Sequence, residues 1–169
     1  SFQLTDKDII YRCDAAEVKM IIAAEDDNII GHIKNSRHKC KTLVHVGLVG
    51  DDIAERFGEE FLDMRKLTAA ASPDFVRPTG DDATTNFDTM LMYFTSGTTG
   101  MPKMITHNFL YPLGHITTAH FWQKVEDEGR HLTVSDSGWA KFAWGKIYGQ
   151  WICGAVIVAY DTEGKFDPR

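Results

Sequence analysis

The chain has 169 residues, 43% of them hydrophobic, which is within the usual size of one domain and enough to bury a core. Its 24 acidic residues outnumber 18 basic ones, and the net charge of -6 is spread along the length. Without clustered Lys and Arg the balance argues against a dedicated nucleic-acid or membrane-surface binder, so any phosphate binding has to come from local geometry.

Thr5, followed by Asp8 at the position of a capping box, predicts a helix start, and the short helix runs into Val18–Ala24, an apolar run suited to a buried strand. Ile29, Ile30 and Ile33 form an apolar stripe at helical spacing, and Thr42–Val46 reads as the next strand. Ile53, Phe57, Phe61 and Met64 recur on one helix face with Glu55, Arg56, Glu59 and Asp63 between them, which predicts one continuous amphipathic helix. From Ser72 to Asp88 the chain turns to Pro, Gly, Asp, Thr and Asn, a surface connection. Met90–Phe94 predicts a strand that feeds a Ser/Gly/Thr loop, and Lys103–Thr106 a strand that leaves it. A helix is expected between Asn108 and Trp122, with Pro112 and Gly114 disturbing its first turns. Leu132–Val134 is a short strand candidate. Trp144, Ile147, Tyr148 and Trp151 lie on one helix face and read as core, and Ala155–Ala159 closes with a buried strand. The alternation predicts an α/β fold, a mixed, mostly parallel sheet flanked by helices on both faces.

The chemistry concentrates in Thr95, Ser96, Gly97, Thr98, Thr99, Gly100, Met101, Pro102 and Lys103. Binding a polyphosphate needs backbone N–H groups that converge on an anion, and glycine permits the close approach that a side chain obstructs. Hydroxyls add donors, and a lysine ammonium adds a compact positive charge. The spacing is not that of a P-loop, because only two residues separate Gly97 and Gly100 and Lys103 follows a proline; no G-x-G-x-x-G occurs either. Composition alone divides about evenly between such a cradle and a plain surface turn.

The order of residues adds more. Thr-Ser-Gly-Thr-Thr-Gly-Met-Pro-Lys after Met92-Tyr93-Phe94 closely resembles the phosphate-loop signature of the adenylate-forming enzymes, which include acyl-CoA synthetases, aryl-CoA ligases, luciferases and peptide-synthetase adenylation domains. Asp8-Ile9-Ile10-Tyr11-Arg12, Ser135-Asp136-Ser137-Gly138-Trp139 and Gly149–Ala155 resemble the acetyl- and medium-chain acyl-CoA synthetases within it, so the resemblance covers nearly the whole chain. It implies attack of a carboxylate on the α-phosphorus of ATP with release of pyrophosphate, then transfer of the acyl group to coenzyme A, with Mg2+ accompanying the ATP. Thr95–Lys103 would hold the β- and γ-phosphates. Trp139, beside Gly138, lies where the family places an aromatic residue near the acyl pocket; its other reading is a core or helix-start tryptophan.

The family's Tyr-Gly-x-Thr-Glu and Thr-Gly-Asp segments, its hinge and its C-terminal lysine domain do not occur after Lys103. Residues 1–169 are therefore expected to be one partial domain, a portion of the large N-terminal domain, with no complete catalytic set and no metal site of their own; alone they should not turn over. The remaining alternatives are another adenylate former and a non-catalytic module that binds a phosphorylated ligand. His107, His115 and His120 lack accompanying carboxylates or cysteines and read as solvent-facing or capped, and Asp51-Asp52 and Asp81-Asp82 read as solvated helix-start or loop acids. Cys13, Cys40 and Cys153 are too scattered for a disulfide framework or zinc, which suits a reducing compartment, the cytoplasm or in a eukaryote the mitochondrial matrix. No apolar run is long enough for a membrane span. Apolar surface on an isolated piece can also drive self-association.

Overall fold

A computed structural model describes residues 3–97 and 100–160. The described residues divide into two compact units, one within Phe2–Ala83 and Phe94–Met104, the other within Thr84–Tyr93 and from Ile105 to Tyr160.

The first unit is built on β-α-β logic. Helix α1 (Asp6–Ala15) starts where expected, with the Asp8 carboxylate accepting the Thr5 amide at 3.0 Å. Strand β1 (Met20–Ala24) follows, then α2 (Asp27–Ser36), whose Asp26 cap accepts the Ile29 amide at 2.9 Å. Strand β2 occupies His45–Val49, three residues later than the expected Thr42 start, because Thr42 uses its hydroxyl to hold the Val18 carbonyl at 2.9 Å. β1 and β2 pair in parallel, with Ile21 opposite Val46 and Ala23 opposite Leu48, and a short strand β3 (Leu62–Asp63) adds to β2, also in parallel. A parallel pair needs a crossover, and α2 supplies it.

Ile21, Ala23, Val46 and Leu48 share the face that packs against Ile9, Cys13, Ile30 and Ile33, and Ile53, Phe57 and Phe61 complete this core. Ile33, Leu48 and Ile53 are essentially inaccessible, and burying a side chain of that size contributes about 1.5–3 kcal/mol. The other face is only partly covered: Ile22 is 58% exposed, while Gly47 lies against the Met64 side chain. Coverage on both faces does not hold for this strand set.

The expected helix through Ile53, Phe57, Phe61 and Met64 is instead α3 (Ile53–Phe57), a turn, β3 and then α4 (Met64–Ala70). Gly58 breaks it, with φ 113° and ψ 154°, a conformation far from helical. The apolar period was right about burial and wrong about backbone continuity. Residues 71–82 are exposed, as the composition of the connection implied.

Strands β4 (Thr89–Thr95) and β5 (Lys103–Asn108) form a two-stranded sheet. In the second unit, α5 (Tyr111–Thr117) continues as a π-helical turn over Thr118–Trp122. Strand β6 (Arg130–His131), slightly earlier than expected, pairs in parallel with β7 (Val156–Ile157). Between them run α6 (Ala140–Phe142), a π-helical stretch over Ala143–Tyr148 and α7 (Gly149–Ile152). The side of this helical run that is buried is Gly145, Lys146, Gly149 and Gln150, not the aromatic stripe; Trp151 is 62% exposed. The reason is close approach: at Gly149 the neighbouring helix brings the His115 carbonyl and Ala119 to where a Cβ would sit. Val156, expected in a buried strand, is exposed too. The molecule is α/β as expected, its described strands falling into three small sheets, two of them parallel.

Candidate functional site

Strand β4 delivers Thr95, half-buried, to the start of the loop, and Lys103 opens β5 at its end. Ser96 and Met101 are exposed and Pro102 is half-buried, while Thr98 and Thr99 lie outside the described residues. The loop closes back on itself at Gly97: a Cβ there would run into the Met101 carbonyl oxygen and come within 3.4 Å of the Lys103 side chain. Gly100 has φ 89°, the left-handed region that favours glycine. Both glycines therefore have a geometric reason to be there. Lys103 is exposed and, among the described residues, has no ion-pair partner, so its ammonium is available to an anion.

The loop's flanks rest on α1. The Tyr11 hydroxyl donates to the Pro102 carbonyl at 2.7 Å, and the Tyr11 ring meets Phe94 edge-on with centroids 6.1 Å apart. The Arg12 guanidinium lies 5.3 Å from the centre of the same Phe94 ring, within cation–π range, and is held by the Asp8 carboxylate at 3.1 Å. The Asp8 pKa in turn is lowered, first by the Thr5 hydroxyl and amide and then by Arg12. Sequence reasoning missed the Tyr11–Pro102 contact because its partners are 91 positions apart.

Gly138 and Trp139 belong to the other unit. Trp139 stands immediately before α6 and is 68% exposed, so of its two structural readings the core one fails and the helix-start one holds. The Gly138 amide donates to the Asp136 carboxylate at 2.7 Å, which fixes the turn that carries the tryptophan outward.

The same unit holds an aromatic cluster that sequence reasoning divided into unrelated pieces. His107 packs on Tyr111 with centroids 4.2 Å apart and on Tyr93 at 5.7 Å; Tyr111 also meets His115 at 4.5 Å and Tyr148 at 5.7 Å. His115 stacks on Trp144 at 5.7 Å and 15°. His120 is exposed as expected, but His107 and His115 are half-buried ring partners rather than solvent-facing groups. Burial, followed by the nearby His107, lowers the pKa of His115, and burial followed by Tyr93 raises that of Tyr111. Among the described residues no group of three or more His, Cys, Asp or Glu side chains gathers as a metal site. Asp51 pairs with Arg65 at 2.6 Å, and Asp52 stands immediately before α3 without a side-chain capping hydrogen bond, so both lie at a helix start. Cys13 and Cys40 are free and buried in the core, where desolvation pushes the Cys13 thiol up to about 12.

Residues 1–169 match the family described as AMP-binding enzyme. The chain belongs to this AMP-binding enzyme family. The mitochondrial acyl-coenzyme A synthetase ACSM3 of Mus musculus is 34% identical over 164 residues, covering 94% of the chain and 26% of that protein. The 4-hydroxybutyrate–CoA ligase 1 of Metallosphaera sedula is 47% identical over 83 residues, 48% of the chain and 14% of that ligase. Among solved structures, an anthranilate CoA ligase, AuaEII, in complex with anthranoyl-AMP superposes with a TM-score of 0.74 at 17% identity, covering 95% of the chain and 28% of that protein. An acetoacetyl-CoA synthetase from Streptomyces lividans gives 0.70 at 19% identity, over 93% of the chain and 24% of its own length. These likenesses share the fold of adenylate-forming enzymes, and the chain spans about a quarter of the curated synthetase's length. Among the described residues of this family member, no helix is long and apolar enough to cross a membrane.

Proposed function

We propose that this AMP-binding family chain works as part of an AMP-forming acid–thiol ligase, an acyl-coenzyme A synthetase acting on a carboxylic, fatty-type acid. In that reaction an oxygen of the acid's carboxylate attacks the α-phosphorus of ATP, the bond to the departing pyrophosphate breaks, and an acyl-AMP forms. The sulfur of coenzyme A then attacks the acyl carbon, AMP leaves, and the thiol proton passes to solvent.

The observation that carries this reading is the loop: a glycine packed where no Cβ fits, a second glycine at positive φ, and an exposed lysine without an ion pair among the described residues. That arrangement suits the β- and γ-phosphates, and its donors and charge would stabilise the pyrophosphate as negative charge builds on it. Thr95 and Ser96 would contribute hydroxyl donors, and Thr98 and Thr99 are assigned the same role on the sequence pattern alone. Mg2+ would travel with the ATP; the described residues contain no acidic cluster to hold it, so the loop's own share rests on amides, hydroxyls and Lys103. Gly138 and Trp139 are assigned to the acid pocket, an exposed indole in the free chain being available for an acyl group to cover. Residues 1–169 are read as a portion of the large N-terminal domain, with the adenylation lysine supplied by a C-terminal domain elsewhere in the parent protein. Of the two expected locations, cytoplasm and mitochondrial matrix, relatives named as mitochondrial support the second.

The test is acid-dependent ATP–pyrophosphate exchange by the full-length protein that contains this chain, followed by thioester formation, over straight-chain acids, 4-hydroxybutyrate and an aromatic acid. Exchange and thioester with aliphatic acids are expected. Preference for the aromatic acid would favour an aryl-CoA ligase, exchange without thioester a carrier-loading adenylation domain, and ATP binding with no exchange a non-catalytic module.

A further inference from the structure

Loops rich in glycine lose conformational freedom when they close on a ligand, and contacts that hold their limbs beforehand lower that loss. Here the supporting contacts come from a single helix. Successive residues of α1 hold the two limbs of the loop: Tyr11 and Arg12 both contact Phe94 on the entering side, and the Tyr11 hydroxyl takes the Pro102 carbonyl on the leaving side, immediately before Lys103. Proline cannot donate a backbone hydrogen bond, so its carbonyl is the polar backbone handle available at that position. The helix itself is fixed at its start by the Asp8–Thr5 cap and by Asp8 on Arg12.

We propose that Tyr11 is a positioning residue for nucleotide binding: its hydrogen bond to Pro102 holds the limb that carries Lys103, so that this lysine is already placed to meet the phosphate tail. This rests on the loop being the phosphate site. Tyr11 touches no reacting atom and acts through Pro102 and Lys103. Replacing it with phenylalanine keeps the ring against Phe94 and removes only the hydroxyl, which isolates the tether from the packing.

The experiment uses the full-length protein and compares wild type, Tyr11→Phe and Lys103→Ala in ATP–pyrophosphate exchange, varying ATP and acid separately, with a thermal melt of each. Tyr11→Phe is expected to raise the KM for ATP about two- to tenfold, the range spanned by one net hydrogen bond, while kcat, the KM for the acid and the melting temperature stay nearly constant. An unchanged KM for ATP in Tyr11→Phe beside a raised one in Lys103→Ala overturns the tether and leaves the phosphate site standing. Unchanged values in both overturn the phosphate site and the tether with it. A parallel rise in both KM values with a lowered melting temperature also overturns it, because that is the signature of a merely structural side chain.

Discussion

His115 is caught between Tyr111 and Trp144, with His107 close by, and its pKa lies below the ordinary histidine value of 6.5. As pH falls past 6.5 the unfolded chain takes up a proton on this residue before the folded one does. The stability it affects is therefore whole above 6.5 and declines as pH drops toward the lowered folded value. In urea titrations of the full-length protein between pH 7.5 and 5.5, the midpoint should fall with pH, and His115→Phe, which keeps a ring in the stack, should flatten that fall. Equal slopes in both proteins would contradict the assignment. Sequence spacing could not reveal this cluster, because Tyr93, His107 and Trp144 come from three separate elements and only the fold makes them neighbours. The loop residues were legible for the opposite reason. Gly97 answers to Met101 and Lys103 a few positions away, so the geometric need and the sequence signature are both local.

At the scale of elements, periodicity identified burial better than it identified helices. Ile53, Phe57 and Phe61 are buried as their spacing implied, yet the backbone between them leaves the helix at Gly58 to reach β3. Its conformation is one that residues with a Cβ occupy at a cost of about 1–3 kcal/mol. Gly58→Ala is expected to destabilise the first unit by that amount, seen as a lower denaturant midpoint at unchanged slope, whereas a continuous helix through this position would be stabilised by alanine. The second helical run failed differently. Trp144, Tyr148 and Trp151 mark an aromatic face, but the close contact of Gly149 with His115 and Ala119 turns the small residues inward and leaves Trp151 in solvent. Apolar spacing alone does not distinguish a face that packs on a neighbouring helix from one that remains open.

At the scale of the molecule, the family was readable chiefly from one loop, where the order of residues is far more specific than composition, and the α/β class from the alternation of helical and strand patterns along the chain. The support that α1 gives the loop was not readable, because Tyr11 and Pro102 are joined by the fold across most of the chain. Family membership, the folded-back loop and an exposed Lys103 converge on one claim, that this segment holds the pyrophosphate end of ATP. Its most direct test is acid-dependent ATP–pyrophosphate exchange at limiting ATP by the full-length protein carrying Lys103→Ala. Removing a charge-assisted contact of about 1.5–3 kcal/mol should slow exchange by roughly ten- to a hundredfold with the KM for the acid unchanged. Exchange at the wild-type rate under limiting ATP would contradict it.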